Sequence, residues 1–266
     1  MAPLIRADEL MVSRGMACDT HKAGALIMAG QVRMGSDKSI VVDKAGMLLS
    51  KDAVLSVKQA KKYVSRGGVK LEGALRDFGL DVTGLRCADL GASTGGFTDC
   101  LLQQGAESVC AVDVGYGQLA HRLQIDPRVA IHDRTNIRTA EGDVLGAPFD
   151  LVVADLSFIG IGKVAYDIAR FLGKNGRGLL LVKPQFEARR TEVGARGLVS
   201  DKETHLQVLK DTISALGDVG LVISNAAVSS IRGATGNIEF WLLCGANELK
   251  GAISASLETI VESAHR

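Results

Sequence analysis

Four charged residues stand where a charge is either costly or pointed. Lys183 closes the run GLLLVKPQFE (178–187), four apolar residues in strand-like order followed by lysine and proline. An ammonium at the end of a buried strand loses hydration at a cost, so a lysine there needs a partner or a use. Asp155 ends the run FDLVVADL (149–156) and so projects at the same sheet edge as Lys183. Glu239 begins IEFWLLC after the turn GATGN, and Lys70 opens the helix that precedes the first of these strands. Burial and a neighbouring cation favour a neutral amine, whereas carboxylates favour the ammonium. A lysine set among a second lysine and two carboxylates can be held, oriented and tuned. It can then take the proton of a hydroxyl that is far too weak an acid to lose it unaided at neutral pH.

Alternating elements must position such a set. Strand-like runs cover 86–92, 108–114, 129–133, 149–156, 178–184, 221–228 and 238–244, with helical stretches between most of them, near 94–105, 159–173 and 202–216. This alternation predicts a doubly wound α/β sheet with ligands at the carboxyl ends of its strands. The first strand runs into DLGASTGGFTDCLLQQG, where Gly91, Gly95 and Gly96 let backbone approach a ligand and the helix start offers N–H groups. Asp113, 22 residues after Gly91 in AVDVGYG, ends the second strand, where a carboxylate can accept from ribose hydroxyls. Ser93 stands where a dinucleotide-binding loop has its second glycine, and no G-x-x-x-x-G-K-[ST] loop is present, which argues against NTP hydrolysis.

Asp89-x-Gly91 resembles motif I of S-adenosylmethionine-dependent methyltransferases. The resemblance implies a Rossmann-like sheet with an antiparallel last strand, for which the pair 221–228 and 238–244 is suited. It implies S-adenosylmethionine as cofactor, with Asp89 organising the loop, Ala92, Ser93 and Phe97 joining the three glycines around it, Asp113 on the ribose and Asp133 on the adenine amine. Amino-group methyltransferases carry Asn/Asp-Pro-Pro-aromatic after the fourth strand, where this chain reads Asp155-Leu156-Ser157-Phe158, and base-carbon enzymes need a Pro-Cys that it lacks. A ribose hydroxyl fits better. The ordered set Lys70, Asp155, Lys183, Glu239 is similar to the tetrad of FtsJ-type ribose 2′-O-methyltransferases. By that likeness Lys183 is catalytic, Asp155 and Glu239 position it, and Lys70 helps to orient the ribose. Phe158 and Phe186 flank the site, open to base stacking or to core packing.

The front of the chain is a different module. Net charge is +1 overall, yet residues 1–70 hold 12 Lys/Arg against 6 Asp/Glu, an imbalance that suits an anionic partner. A short helix from Ala7 to Arg14 stops at Gly15, a second runs from about Asp19 to Ala29, and QVRMGSDKSIVV reads as a hairpin. The pattern resembles the small α+β S-four type RNA-binding domain, although Cys18-Asp19 stand where that family usually carries Ser-Arg. The expected organisation is an RNA-binding domain over 1–60, a basic, semi-rigid connector over 61–66 and a methyltransferase domain over 67–266. Arg14, Lys22 and Arg33 are the candidate RNA contacts of the module. Arg66 and, in the glycine-bearing loop after Lys183, Arg189 and Arg190 with Arg196 extend them as phosphate contacts, the loop being expected as a mobile flap.

YVSRGGVKLEGAL, DLGASTGGFTDCLL, VDVGYGQLA, RTNIR, DLSFI, LVKPQFE and GNIEF together resemble the TlyA (hemolysin A) family across nearly the whole chain. That likeness implies 2′-O-methylation of cytidine in ribosomal RNA of the large subunit and, in some members, of the small one. Five scattered cysteines without C-x-x-C spacing are expected to be reduced cytosolic thiols, the five histidines show no metal-ligand spacing, and no run is long enough to span a bilayer. No metal, no membrane and a cytoplasmic location are therefore expected. Two rival readings are a membrane-active cytolysin and a non-catalytic RNA-binding assembly factor.

Overall fold

The computed structural model describes residues 3–58, 62–246 and 256–266, and the chain divides into two compact units, Met1–Lys61 and Lys62–Arg266. In the first, β1 (Leu4–Arg6) leads into α1 (Ala7–Ser13), and α2 (Thr20–Met28) follows the turn at Gly15. Asp19 starts α2 as its cap, accepting the Lys22 N–H at 2.6 Å, so the acid at this position has a structural use. β2 (Val32–Met34) pairs antiparallel with β3 (Ile40–Val41), as the hairpin reading requires, and also with β5 (Leu55–Val57). β4 (Leu48–Ser50) returns beside β1. Ala7, Leu10, Met11, Ala23, Ile27, Val32 and Val42 close a small core.

The second unit starts earlier than the sequence predicts. Residue 61, the first of the expected connector, lies outside the described residues; Lys62–Arg66 belong to this unit. Tyr63 is buried, the Val64 N–H donates to Asp99 Oδ2 at 2.8 Å, and Ser65 caps α3 (Arg66–Asp77). The order then runs β6 (Arg86–Leu90), α4 (Gly96–Gln103), β7 (Ser108–Val112), α5 (His121–Gln124), β8 (Val129–His132), α6 (Gly142–Leu145) and β9 (Phe149–Ala154). It continues through α7 (Ala165–Ala169), β10 (Leu172–Val182), α8 (Pro184–Glu187), α9 (Lys202–Asp218), β11 (Val222–Val228), β12 (Phe240–Gly245) and α10 (Leu257–Ala264).

The seven strands line up as β11-β12-β10-β9-β6-β7-β8; β12 is antiparallel to both its neighbours and the five strands from β10 to β8 are parallel. This is the doubly wound sheet with an antiparallel last strand. Alternate residues feed the two faces: Val152 and Ala154 meet Ile168, Leu209 and Ile260 on one side, while Leu151 and Val153 share the other with Leu71, Leu101 and Trp241. Burial on both faces explains the continuous apolar runs. One such fully buried side chain, Phe240, contributes about 1.5–3 kcal/mol. The expected helix over 159–173 is shortened to a 3₁₀ turn, Ile161–Val164, plus α7, because Gly160 and Gly162 weaken its first turn and the chain enters β10 at Leu172.

Candidate active site

β6 lies between β7 and β9, so connections leave it in both directions and a crevice opens at the carboxyl ends. Gly91 turns there with φ +86°, donating its N–H to Val112 O at 2.8 Å, and a Cβ on it would fall 2.8 Å from the Asp155 carbonyl oxygen. Gly96 begins α4 so close to the chain at Ser65 that a Cβ would lie 2.2 Å from its Oγ. Asp89 is fully buried. Its Oδ2 accepts the Thr98 N–H at 2.9 Å and hydroxyl at 2.7 Å, while Oδ1 has no protein partner. Burial, outweighing the Thr98 bonds, pushes this carboxyl up to about 7. Asp113 accepts the Ser93 N–H at 2.8 Å through Oδ2 and the Gly115 N–H at 2.6 Å through Oδ1.

Two adjoining cavities share Gly91, Ser93, Asp155 and Ser157. The larger, ≈ 420 Å³, is walled by Val112, Asp113, Leu156 and Ile159; the smaller, ≈ 220 Å³, holds Asp89, Ala92, Gly96 and Phe97 with Lys70 and Lys183. Of the cofactor candidates, Asp133 is not among the residues that line either cavity. Its carboxylate accepts the Gly117 N–H at 2.8 Å, and the next residues line the larger cavity instead: Thr135, Asn136 and Arg138. Sequence reasoning assigned these no role, nor Gln118 and Ser157. The faint signal was the RTNIR string, which the Thr135 N–H fixes by bonding to Asp113 O at 2.9 Å.

The four candidate catalytic residues resolve into two ion pairs. Lys183 Nζ lies 2.5 Å from Asp155 Oδ1 and donates to Ser157 Oγ at 3.2 Å. Lys70 Nζ lies 2.5 Å from Glu239 Oε2, both side chains being less than a tenth exposed. Glu239 thus closes on Lys70 and not on Lys183, so it stands behind Lys70, one of the two lysines that line the smaller cavity. Phe186 sits beneath Lys183, ring centroid 5.8 Å from Nζ, and stacks at a tilt on Phe158 at 5.7 Å. Phe158 is 91% exposed at φ +69°, which sets aside core packing for this residue.

The basic candidates are dispersed. Arg66 lines the smaller cavity and donates to Arg232 O at 2.7 Å. Arg189 and Arg190 are exposed just past α8, but the loop that follows is pinned: the Asn237 side chain accepts the Val199 N–H at 2.9 Å and donates to Gly197 O at 2.8 Å. In the first unit Lys22 is exposed on α2 and Arg33 is half-buried on β2. Arg14 spends its guanidinium on the carbonyls of Ala53, at 2.5 Å, and Lys51. Among the described residues no group of three or more His, Cys, Asp or Glu is placed to hold a metal ion, and no helix is long and apolar enough to cross a membrane.

Comparison with known proteins agrees with this geometry. The family of FtsJ-like methyltransferases matches residues 63–246. The 16S/23S rRNA (cytidine-2′-O)-methyltransferase TlyA of Mycobacterium tuberculosis is 38% identical over 266 residues, covering 99% of this chain and 98% of that one. Hemolysin A of Brachyspira hyodysenteriae is 40% identical, covering 89% and 98%. A solved structure from Streptococcus thermophilus, named as a hemolysin, superposes with a TM-score of 0.74 at 36% identity over 100% of this chain and 97% of its own. With these relatives aligned almost end to end, the chain belongs to the TlyA (hemolysin A) family and its larger unit to the FtsJ-like methyltransferases.

Proposed function

We propose that the chain moves a methyl group from S-adenosylmethionine to the 2′-hydroxyl of cytidine in ribosomal RNA, of the large subunit in the first place with the small subunit as the second candidate substrate, and that it works in the cytoplasm, where ribosomal subunits are found. The observation that carries this reading is the Asp155–Lys183 pair, 2.5 Å apart, in the cleft that the glycine turn also lines.

The cleft suits the cofactor. Its larger cavity offers apolar walls with Asp113 beside them, a match to adenosine, and the smaller offers the orphaned Asp89 Oδ1 to a cation. Gly91 and Gly96 leave backbone where side chains would intrude. Bound there, S-adenosylmethionine supplies an electrophilic methyl on a sulfonium. The protein's own part is to hold the acceptor and take its proton. Lys183 Nζ reaches the smaller cavity, within hydrogen-bond range of an oxygen placed there; acting as the neutral amine, after its extra proton has left to solvent, it receives the hydroxyl proton as the oxygen–methyl bond forms. Asp155 and Ser157 fix Nζ in place, and Lys70, backed by Glu239, fixes the sugar from the other side. Exposed Phe158 at the rim offers a face on which a splayed-out base can stack. The first unit, with Lys22 and Arg33 on its surface, is the RNA-docking module of this reading.

The test is transfer of labelled methyl to unmodified ribosomal subunits, each assayed separately, with the product digested to nucleosides. Wild type is expected to yield 2′-O-methylcytidine. Lys183→Ala should fall by about 10²-fold or more. Lys183→Arg should fare no better, since a guanidinium keeps the charge but does not give up a proton to become a base. Wild-type turnover by Lys183→Ala would overturn the mechanism, and no incorporation into either subunit would overturn the substrate.

A further inference from the structure

Glu187 stands four residues after Lys183, at the end of the one-turn helix α8. Its Oε1 accepts the Ile161 N–H at 2.5 Å, and the Gly162 N–H also donates to this carboxylate. Ile161 lies at the far end of the loop that begins with Asp155. Loop and lysine segment therefore meet at three successive points: Asp155 with Lys183, the Phe158 ring with Phe186, and the Ile161 amide with Glu187.

Two observations set this contact apart from incidental packing. Between its ends the loop is strained, since Phe158 holds φ +69°, a conformation that costs a non-glycine residue about 1–3 kcal/mol and persists only where surrounding contacts enforce it. β9 anchors one end of the loop and Glu187 the other. Room has also been left for the carboxylate. A Cβ on Gly160 would fall 2.2 Å from Glu187 Oε2, although Gly160 itself, at φ −77° and ψ 149°, has a backbone any residue adopts. Glycine at 160 thus serves close approach. Burial raises the Glu187 carboxyl above its usual range, partly offset by the two amides and by Lys163, while Arg189, Glu192 and Asp211 line the adjoining space.

We propose that Glu187 is a positioning residue for methyl transfer: it holds the Gly160–Gly162 backbone so that Asp155 and Ser157 stay in register with Lys183. The inference rests on the function proposed above. Misplacing a reacting group by about 1 Å can cost about 10²-fold in rate, so a loosened clamp appears in kcat. Glu187→Ala should lower kcat on ribosomal RNA at least about tenfold, a larger change than in KM for S-adenosylmethionine, whose cavity the same loop walls through Leu156 and Ile159. Glu187→Gln, whose amide oxygen still accepts one N–H, should recover part of the loss. Gly160→Ala pushes the clamp apart from the other side with the carboxylate intact; it should match Glu187→Ala, and the double variant should be no worse than either. Amide exchange at Ile161 and Gly162 should quicken in both alanine variants. Wild-type kcat in Glu187→Ala or Gly160→Ala, no recovery in Glu187→Gln, or unchanged exchange at Ile161 would each overturn the clamp. A wild-type chain inactive on every ribosomal RNA sinks the proposed function instead, and the exchange measurement still decides whether Glu187 holds the loop.

Discussion

Asp89 should give up a proton when the methyl donor binds. Its Oδ1 is buried without a partner, and burial lifts the carboxyl from 3.8 to about 7. At 1.36 kcal/mol per unit, that rise makes an ionised Asp89 in the empty cleft cost about 4 kcal/mol. A raised carboxylate value means that the folded chain binds this proton more tightly than the unfolded chain between pH 3.8 and about 7. The Asp89 contribution to stability therefore declines as pH rises through that window and is level above it. S-adenosylmethionine carries an ammonium and a sulfonium, and a cation beside Oδ1 favours the carboxylate. Binding should then release close to one proton near pH 6, and affinity should fall toward about tenfold per unit as pH drops below about 7. Calorimetric titration of S-adenosylmethionine in two buffers of different ionisation heat reads both effects. Asp89→Asn, neutral throughout, should bind with the same heat in both buffers and an affinity flat with pH. Equal heats for the wild type near pH 6, or an Asn variant that keeps the wild-type pH dependence, would refute the linkage.

Two further outcomes follow from buried charges. Glu239→Ala strands Lys70 in the interior and should destabilise the larger unit by about 3–5 kcal/mol, lowering its melting temperature by roughly 10 °C. Lys70→Met with Glu239→Leu should regain most of that stability but no turnover; a melting point for the single variant within about 2 °C of wild type would contradict a buried pair. His205 is fully buried, its Nδ1 2.9 Å from His265 Nε2, and burial, then the neighbouring imidazole, hold it down to about 4. The unfolded chain takes up this proton from pH 6.5 downward and the folded chain does not until about 4. Stability from His205 is therefore present above 6.5 and lost as pH falls toward 4, by at most about 3 kcal/mol. Asp89 acts with the opposite sign throughout this window, so urea midpoints of His205→Gln against wild type across the window read the effect; parallel curves would exclude it.

Much of the site was legible because the chemistry sits at the ends of strongly patterned elements. Gly91, Asp113, Asp155 and Lys183 each close or follow a buried strand, and an apolar run with a charge at its end marks such a place in one dimension. What lay across strands was harder to read. Whether Glu239 meets Lys70 or Lys183 depends on β12 entering beside β10 with Phe240 opposite Val182, and no local pattern encodes that choice. Asp133 looked suited to a ligand as a carboxylate after a strand, yet it serves the Gly117 turn, and the cavity wall comes from the following loop. Arg14 reads as a free cation, and only the fold shows its guanidinium bound to carbonyls some 40 residues away. β1, β4 and β5 are three residues each, too short for any period to appear.

The same register accounts for the lysine at the end of an apolar run. β10 is longer than its parallel neighbour: Leu180 lies opposite Ala154, the last residue of β9, and Leu181 and Val182 pair only with β12. Lys183 therefore emerges past the end of β9, where the Asp155 side chain is the next group on that side. Its stem stays covered, leaving the side chain 11% exposed, while Nζ reaches the cleft. The ammonium gives up bulk water for Asp155 and Ser157, which removes most of the cost of burying it and leaves Nζ pointed at one spot. A lysine on a flexible loop could reach the same place, but it would have to lose about 2 kcal/mol of rotamer entropy in every productive encounter. At the end of a strand that outruns its neighbour, folding has already fixed the backbone beneath it.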